Sequence, residues 1–160
     1  MQITVEYMIM IPVMILQIFL FPFVATLIMD NWNDSRQTLE LHETAGHLSS
    51  TIQQMYYTIN RASVSSGSAS MKINIDIPRT IENHAYTVTL QNVTGLDSAY
   101  RVMNITLRFI SFDGSTSTLV TLGDNINWAD NLAFNSVNTG LCLTATKTAD
   151  TIILTLEDEA

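Results

Sequence analysis

The sequence predicts an α+β fold, in which a long N-terminal α-helix packs on a C-terminal antiparallel β-sheet or small β-sandwich. The first observation is an apolar series followed by apolar residues at helical spacing, which together extend to about residue 60. The second is a change to strict alternation of apolar and polar residues beyond residue 70. A length of 160 residues fits one helical extension and one modest domain.

Residues 1–30 are predicted to form a hydrophobic transmembrane or filament-core helix. The run from Tyr7 to Met29 contains 23 residues and no charge. At about 1.5 Å per residue it would be roughly 35 Å long, enough to cross a hydrocarbon core of about 30 Å. No Lys or Arg precedes Arg36 and no small-residue cleavage site follows the run. The run therefore does not match a secretory signal peptide and is expected to stay on the protein.

Two prolines, Pro12 and Pro22, interrupt this run. Inside a soluble helix each would remove a hydrogen bond, but membrane helices tolerate such prolines because neighbouring helices help to satisfy the backbone. We therefore expect a helix that is bent or locally loosened and packed against other helices.

Residues 31–62 are predicted to continue this helix in amphipathic form. Apolar residues recur at steps of three and four and form one stripe: Leu41, Ala45, Leu48, Ile52, Met55 and Ile59. If the two segments are continuous, the helix runs from about Thr4 to Asn60. Its first half is expected to be enclosed by lipid or by other copies of itself, whereas its second half lays one face on a folded domain.

Residues 63–70, rich in Ser, are predicted to be a Ser/Gly loop, and residues 71–160 a β-rich extracellular head domain. The Asn-rich and Asp-rich stretch Gly123–Gly140 is predicted to be a surface loop, which Trp128 and Phe134 attach to the domain. Turn residues predict hairpins at Asp113-Gly114 and at Thr148–Asp150. The predicted strands share period-two alternation: Lys72–Ile77, Tyr86–Leu90, Met103–Phe109, Thr116–Leu122, Leu141–Lys147 and Thr151–Leu156.

Composition bears on the class of function. Charged residues make up only 14% of the chain, a low share that is typical of a membrane segment. The net charge is −8, and the seven Lys and Arg are spread singly, which argues against nucleic-acid binding. Cys142 is the only cysteine, so neither an intrachain disulfide nor a cysteine metal cluster is possible, and we expect a small buried side chain there.

No active site is predicted. The stretch from His42 to His47 resembles a zinc-protease signature, but its two histidines are five residues apart, not four, and point to different sides of a helix. His84 precedes a strand and has no evident partner. No phosphate-binding loop, nucleophile elbow or suitably spaced carboxylate pair is present. We therefore expect no enzymatic activity, metal or cofactor.

Three sequons permit N-linked glycans, at Asn33, Asn92 and Asn104. This number is about what the Asn, Ser and Thr content would give by chance, so the sequons allow an extracellular site without demonstrating one. Asn104 is expected on the polar face of a strand, and Asn92 just after one.

The N-terminal sequence QITVEY, from Gln2 to Tyr7, resembles the start of archaeal pilins of the class III signal peptide type, within the type IV pilin superfamily. Such pilins begin at a Gln and carry Glu as the fifth mature residue, the place of Glu6 counted from Gln2. The apolar helix with Pro22, the amphipathic continuation and the β-domain are similar in order. The stretch Ile77–Val88 is similar to the start of the β-domain in many archaeal pilin-like proteins.

The resemblance implies a function and partners. A prepilin peptidase would cut before Gln2, assembly machinery would extract the chain from the membrane, and identical copies would form a helical homopolymer, with no cofactor. The implied assembly residues lie in the N-terminal segment: Gln2, Glu6, Tyr7, Pro12, Phe19, Phe21, Pro22 and Phe23.

Met1 leaves open which residue is the first of the mature chain. The family's precursors carry a short basic leader, whereas here a single Met stands before Gln2. Either the sequence is already trimmed, or its start is misassigned, or Met1 is a mature residue and Glu6 is displaced by one position.

Glu6 has two explanations. At the first turn of a helix a carboxylate gains about 0.3 to 1 kcal/mol from the helix dipole. In a filament core it would also neutralise the α-amino group of Gln2, of its own or a neighbouring chain. We therefore expect the subunit of an archaeal adhesion pilus. The alternatives are a minor pilin or pseudopilin, a monomeric membrane-anchored surface protein, and, less expected, an archaellum subunit.

Overall fold

One long helix precedes a β-domain in the computed structural model. The structure describes residues 2–61, 68–93, 100–128, 132–138 and 141–158. Within these ranges it describes all side chains except those of residues 2–7, 141 and 158. The chain divides into two compact units, Met1–Gln37 and Thr38–Ala160. The elements follow in the order α1 (Gln2–Arg61), β1 (Ser68–Asn74), β2 (Tyr86–Val93), β3 (Tyr100–Phe109), β4 (Ser115–Gly123), β5 (Ile126–Trp128), β6 (Leu132–Asn135), β7 (Leu141–Thr148) and β8 (Thr151–Asp158).

The predicted fold class is confirmed, and so is the single N-terminal helix. Helix α1 has 60 residues and includes both Pro12 and Pro22. The hydroxyl of Thr26 donates a hydrogen bond of 2.6 Å to the carbonyl oxygen of Pro22, which satisfies this hydroxyl inside its own helix.

The β-domain contains two four-stranded sheets. The first has the order β1-β7-β8-β5 and the second the order β4-β3-β2-β6. All pairs are antiparallel except β5 with β8, which is parallel. Both predicted hairpins are present, since β3 pairs with β4 and β7 with β8. At the second, Thr148 pairs with Thr151, so the chain reverses at Ala149 and Asp150, where Ala149 has a φ of 53°.

The apolar stripe of α1 and the inner faces of both sheets form one hydrophobic core. All six predicted stripe residues are buried, from Leu41 at 1% exposed to Ile59 at 3%. Between Asn31 and Glu40 most side chains remain exposed, so the helix is covered by the β-domain only from Leu41 onward. Its amphipathic part is thus shorter than the predicted segment 31–62.

Polar contacts fix the second half of α1 along β4. His42 Nδ1 lies 3.4 Å from the hydroxyl of Thr116 near the start of β4. Tyr56 lies beside Gly123 at its end and donates a 2.8 Å hydrogen bond to Asn125 Oδ1. The two contacts are about 21 Å apart along the helix and about 23 Å apart along the strand, so helix and strand run side by side in the same direction.

The last turn of α1 is held by a buried lysine of the other sheet. Lys147 Nζ donates a hydrogen bond of 2.8 Å to the backbone carbonyl of Asn60. A carbonyl in the last turn of a helix has no partner within the helix, and a cation there is favoured by the helix dipole. This contact ties the end of α1 to β7.

Two glycines give a matched test of this packing. A Cβ at Gly123 would lie 2.0 Å from the Tyr56 hydroxyl, whereas a Cβ at Gly46, in α1, would meet nothing within 4 Å. We expect Gly123→Ala to lower the free energy of unfolding by about 1 to 3 kcal/mol, because Tyr56 must move and lose its bond to Asn125. Gly46→Ala is expected to raise it by about 0.5 to 1 kcal/mol.

Denaturant titration of the full chain in detergent micelles, followed by tyrosine and tryptophan fluorescence, measures both changes. Equal effects of the two substitutions would contradict the close approach of Tyr56 to β4.

The prediction of a surface loop over Gly123–Gly140 is wrong. This stretch contains β5, which adds to β8, and β6, which adds to β2. Ile126 is fully buried. The predicted anchors are confirmed, since Phe134 is 6% exposed and Trp128 packs against the core. The strands have three and four residues, too few to produce a visible alternation, and their partners lie far away in the sequence.

The prediction for the first strand needs two corrections. Strand β1 begins at Ser68, inside the predicted loop 63–70, and ends at Asn74. Residues 75–77 are not part of a strand although Ile75 and Ile77 pack against the core. Alternation of apolar and polar residues shows which side chains are buried, but it does not show whether the backbone pairs with another strand. An extended segment without a strand partner produces the same alternation.

Candidate functional site

The first half of α1 exposes an uncharged and largely apolar surface, which we define as the side chains from Met8 to Met29 and call the apolar surface. Only Ala25 among them is partly covered within the described chain. Among its large apolar side chains the exposed fraction ranges from 43% at Val24 to 80% at Met8. Soluble monomers rarely expose apolar patches of more than a few hundred Å², so this surface requires lipid or another chain to cover it. By length and composition the helix that carries it is able to cross a membrane.

The predicted assembly residues lie on several sides of this surface. Phe19, Phe21 and Phe23 are 73%, 78% and 63% exposed. Residues two apart on a helix point about 200° from each other, so the three rings do not share one face, and contacts are available on more than one side. Pro12 and Pro22 are also exposed.

No acidic residue lies in the first turn of α1, so the expected gain of Glu6 from the helix dipole at that turn is wrong. The helix includes Gln2, Glu6 and Tyr7. Their side chains lie outside the described part of the structure. The pairing of Glu6 with an α-amino group therefore stays a prediction.

The far end of the apolar surface carries a feature that sequence reasoning missed. Trp32 is 61% exposed, and the guanidinium carbon of Arg36 lies 5.2 Å from the centre of its ring. Trp at the end of a hydrophobic span is typical of the membrane–water interface, and a cation over its ring stabilises that position. A Trp three residues after an apolar run is the signal that would have predicted it.

A shallow groove runs across the apolar surface around Pro22. It is lined by Met14, Gln17, Ile18, Leu20, Phe21, Pro22 and Val24. Gln17 is the only residue of this lining with a polar side chain, and it is exposed. Within the described residues its amide makes no hydrogen bond. In an apolar medium such an amide would need a partner from outside the described residues.

The β-domain has a second groove, beside the helix. It is lined by acidic and neutral residues of α1 and of the segment before β2: Glu40, Glu43, Thr44, His47, Asp76, Ile77, Pro78, Thr80 and Ile81. His42, in contrast, contacts Thr116 in β4, so the two histidines lie on different sides of the helix, as their spacing predicts. Among the described residues no group of three or more His, Cys, Asp or Glu is arranged to hold a metal ion.

His84 has partners that the sequence did not reveal. Its Nδ1 lies 3.2 Å from the hydroxyl of Ser111, and its ring makes an edge contact with Phe112 at 4.9 Å. Nearby, Tyr86 donates a hydrogen bond from its hydroxyl to the Pro78 carbonyl, and burial raises the pKa of this tyrosine to about 12. These contacts brace the chain that leads into β2.

Cys142 is buried, as predicted. Its thiol donates to Asn74 Oδ1 at 2.9 Å, which joins β7 to β1. The contact is structural.

The sequon asparagines occupy three different environments. Asn33 is exposed on α1, whereas Asn92 and Asn104 are half-buried in β2 and β3. Asn104 pairs across the sheet with Gln91 and Leu119, and its Oδ1 is buried without a hydrogen-bond partner. Of the three, Asn33 presents the most accessible amide for a glycan.

Comparison with protein-family models, with curated proteins and with solved structures found no match to this chain. The apolar surface of α1 is therefore interpreted from its own residues and geometry.

Proposed function

We propose that the chain is a structural subunit of an archaeal type IV adhesion pilus, which polymerises through its hydrophobic N-terminal helix and has no enzymatic activity. One observation carries the proposal: a single helix is apolar and exposed on all sides from Met8 to Met29, yet from Leu41 to Ile59 it is built into the core of a β-domain. Because one helix carries the apolar surface and also contributes to the core of the β-domain, both belong to the same subunit.

The apolar surface serves in two successive environments. Before assembly it lies in the membrane, where Trp32 and Arg36 mark the interface and the β-domain stays outside. During assembly the helices leave the lipid and pack against each other, so that the same side chains form the filament core. Fully burying one large apolar side chain is worth about 1.5 to 3 kcal/mol relative to water, which keeps subunits in either lipid or filament and out of solution.

The partners follow from this cycle. A prepilin peptidase removes the leader before Gln2, pilus assembly machinery moves the subunit from the membrane to the filament base, and copies of the chain itself complete the filament. N-glycans at Asn33, Asn92 or Asn104 would lie on the extracellular part. Glu6 neutralises the α-amino group of Gln2 within the core, where an unpaired charge would be costly.

Mass spectrometry of surface filaments tests the proposal. Filaments sheared from the native cells are expected to contain this chain, starting at Gln2, as their major component. The membrane fraction of the sheared cells is the control, because it reports the pool not yet assembled. Traces of the chain in filaments would favour a minor pilin or pseudopilin, and its restriction to membranes would favour a monomeric surface anchor; both results would contradict the proposal.

A further inference from the structure

Pro22 leaves one backbone acceptor of α1 without its usual donor. A helical carbonyl is normally bonded by the N–H four residues later, and proline has no N–H. Because α1 is helical through this region, the carbonyl of Ile18 lacks that bond. Pro12 releases the carbonyl of Met8 in the same way, but Met8 lies at the end of the uncharged run, whereas Ile18 lies near its middle, far from water.

The only unpaired side-chain donor of the same groove is the amide of Gln17. Gln17, Ile18 and Pro22 line the groove together. An amide transferred to an apolar medium without a partner, and a carbonyl left in the same medium, each cost on the order of 2 kcal/mol or more. The groove therefore contains a donor and an acceptor that both need a partner.

The two groups cannot satisfy each other within one chain. Side chains of a helix tilt toward its N-terminus, whereas its carbonyls point toward its C-terminus. The Gln17 amide is thus directed away from the Ile18 carbonyl of its own helix. From Phe19 to Ala25 the chain carries no side-chain donor.

We propose that the Gln17 amide of one copy donates a hydrogen bond to the Ile18 carbonyl of a parallel neighbouring copy. This inference rests on the proposed self-assembly and specifies a contact within it. The opposite directions of amide and carbonyl require that the neighbour, which supplies the Ile18 carbonyl, be displaced toward its N-terminal end by about one helical turn, ~5 Å. A staggered, head-to-tail contact of this kind propagates along a helical array and does not close as a two-fold dimer.

A double-substitution cycle in filaments tests the contact. Full-length wild type, Gln17→Met, Pro22→Ala and the double variant are expressed in cells that lack their own copy of the chain. Sheared filaments are then incubated in dodecyl maltoside, and the rate of subunit release is measured by sedimentation. Met keeps the length of the Gln side chain but lacks the donor, and Ala at position 22 restores an N–H to the Ile18 carbonyl.

Gln17→Met is expected to accelerate release about three- to tenfold in the wild-type background, the range of hydrogen bonds between membrane helices. In the Pro22→Ala background the same change is expected to matter less than twofold, because the carbonyl is already bonded. Met14→Leu, in the same groove, is the control and is expected to change release less than twofold. If Gln17→Met abolishes filaments, recovery of filaments by Pro22→Ala supports the contact.

Equal acceleration in both backgrounds, no acceleration, or loss of filaments in both overturns the contact while the pilin proposal stands. Absence of filaments from the wild-type chain overturns the pilin proposal itself. The two failures are therefore distinguishable.

Discussion

Replacing Glu6 by alanine is expected to leave a chain that inserts into the membrane and folds its β-domain but yields few filaments. In the proposed filament core the carboxylate neutralises the α-amino group of Gln2, so its removal leaves a buried, unpaired ammonium. Removing one partner of a buried ion pair costs about 3 to 5 kcal/mol, which corresponds to more than a hundredfold weaker association of a subunit. The ratio of sheared filaments to membrane-bound chain, measured by immunoblot, gives the result.

Two variants separate charge from other effects. Glu6→Gln keeps the size and polarity of the side chain and is expected to reduce filaments nearly as much as Glu6→Ala. Glu43→Ala removes an exposed carboxylate from the second half of α1 and is expected to leave the yield unchanged. Wild-type filament yield from Glu6→Ala would eliminate the charge-pairing role.

Helix α1 was the most predictable part of the fold. A helix requires apolar side chains every three or four residues on the side that it buries, and Leu41 to Ile59 meet that condition at six positions, all of them buried in the core. The longer strands were predictable for a similar reason, since one face of each is buried and one is solvated. In the helix and in the strands alike, the burial of one face explains the spacing of the apolar residues in the sequence.

Strands β5 and β6 were not predictable because they are stabilised by pairing with strands that are distant in the sequence. Ile126–Trp128 pairs in parallel with β8, and Leu132–Asn135 pairs with β2. Each adds a short edge strand to a sheet that has formed from distant segments. The intervening Asn and Asp residues are typical of turns, so their composition favoured a loop.

Some features of the candidate site could be predicted from the sequence, and others could not. The apolar run and its lack of charge are visible in the sequence, and Pro12 and Pro22 indicate where the helix loses hydrogen bonds. The placement of Gln17 in the Pro22 groove and of Arg36 over the Trp32 ring depends on side-chain geometry. The partners of the His84 side chain lie 25 residues or more away along the chain and meet it through the pairing of β2 with β3.

Replacing Ile52 by aspartate is expected to unfold the β-domain while leaving the apolar helix in the membrane. Ile52 is 1% exposed in the centre of the buried stripe. Truncating such a side chain costs about 2 to 5 kcal/mol, and a carboxylate without a partner adds to that cost. The total approaches the whole stability of a typical domain, about 5 to 15 kcal/mol. Limited proteolysis of membrane vesicles containing the full chain measures the result.

Gln54→Asp, two residues further along the same helix at an exposed position, is the control and is expected to leave the β-domain resistant to protease. For Ile52→Asp we expect rapid loss of the β-domain and survival of a fragment that contains Met8 to Met29, because lipid protects it. A protease-resistant β-domain in Ile52→Asp would show that the stripe of α1 does not hold the domain together. With Glu6→Ala the outcome is reversed, an intact domain without filaments. The two substitutions together thus test whether one helix performs two separable tasks, folding through its second half and assembly through its first.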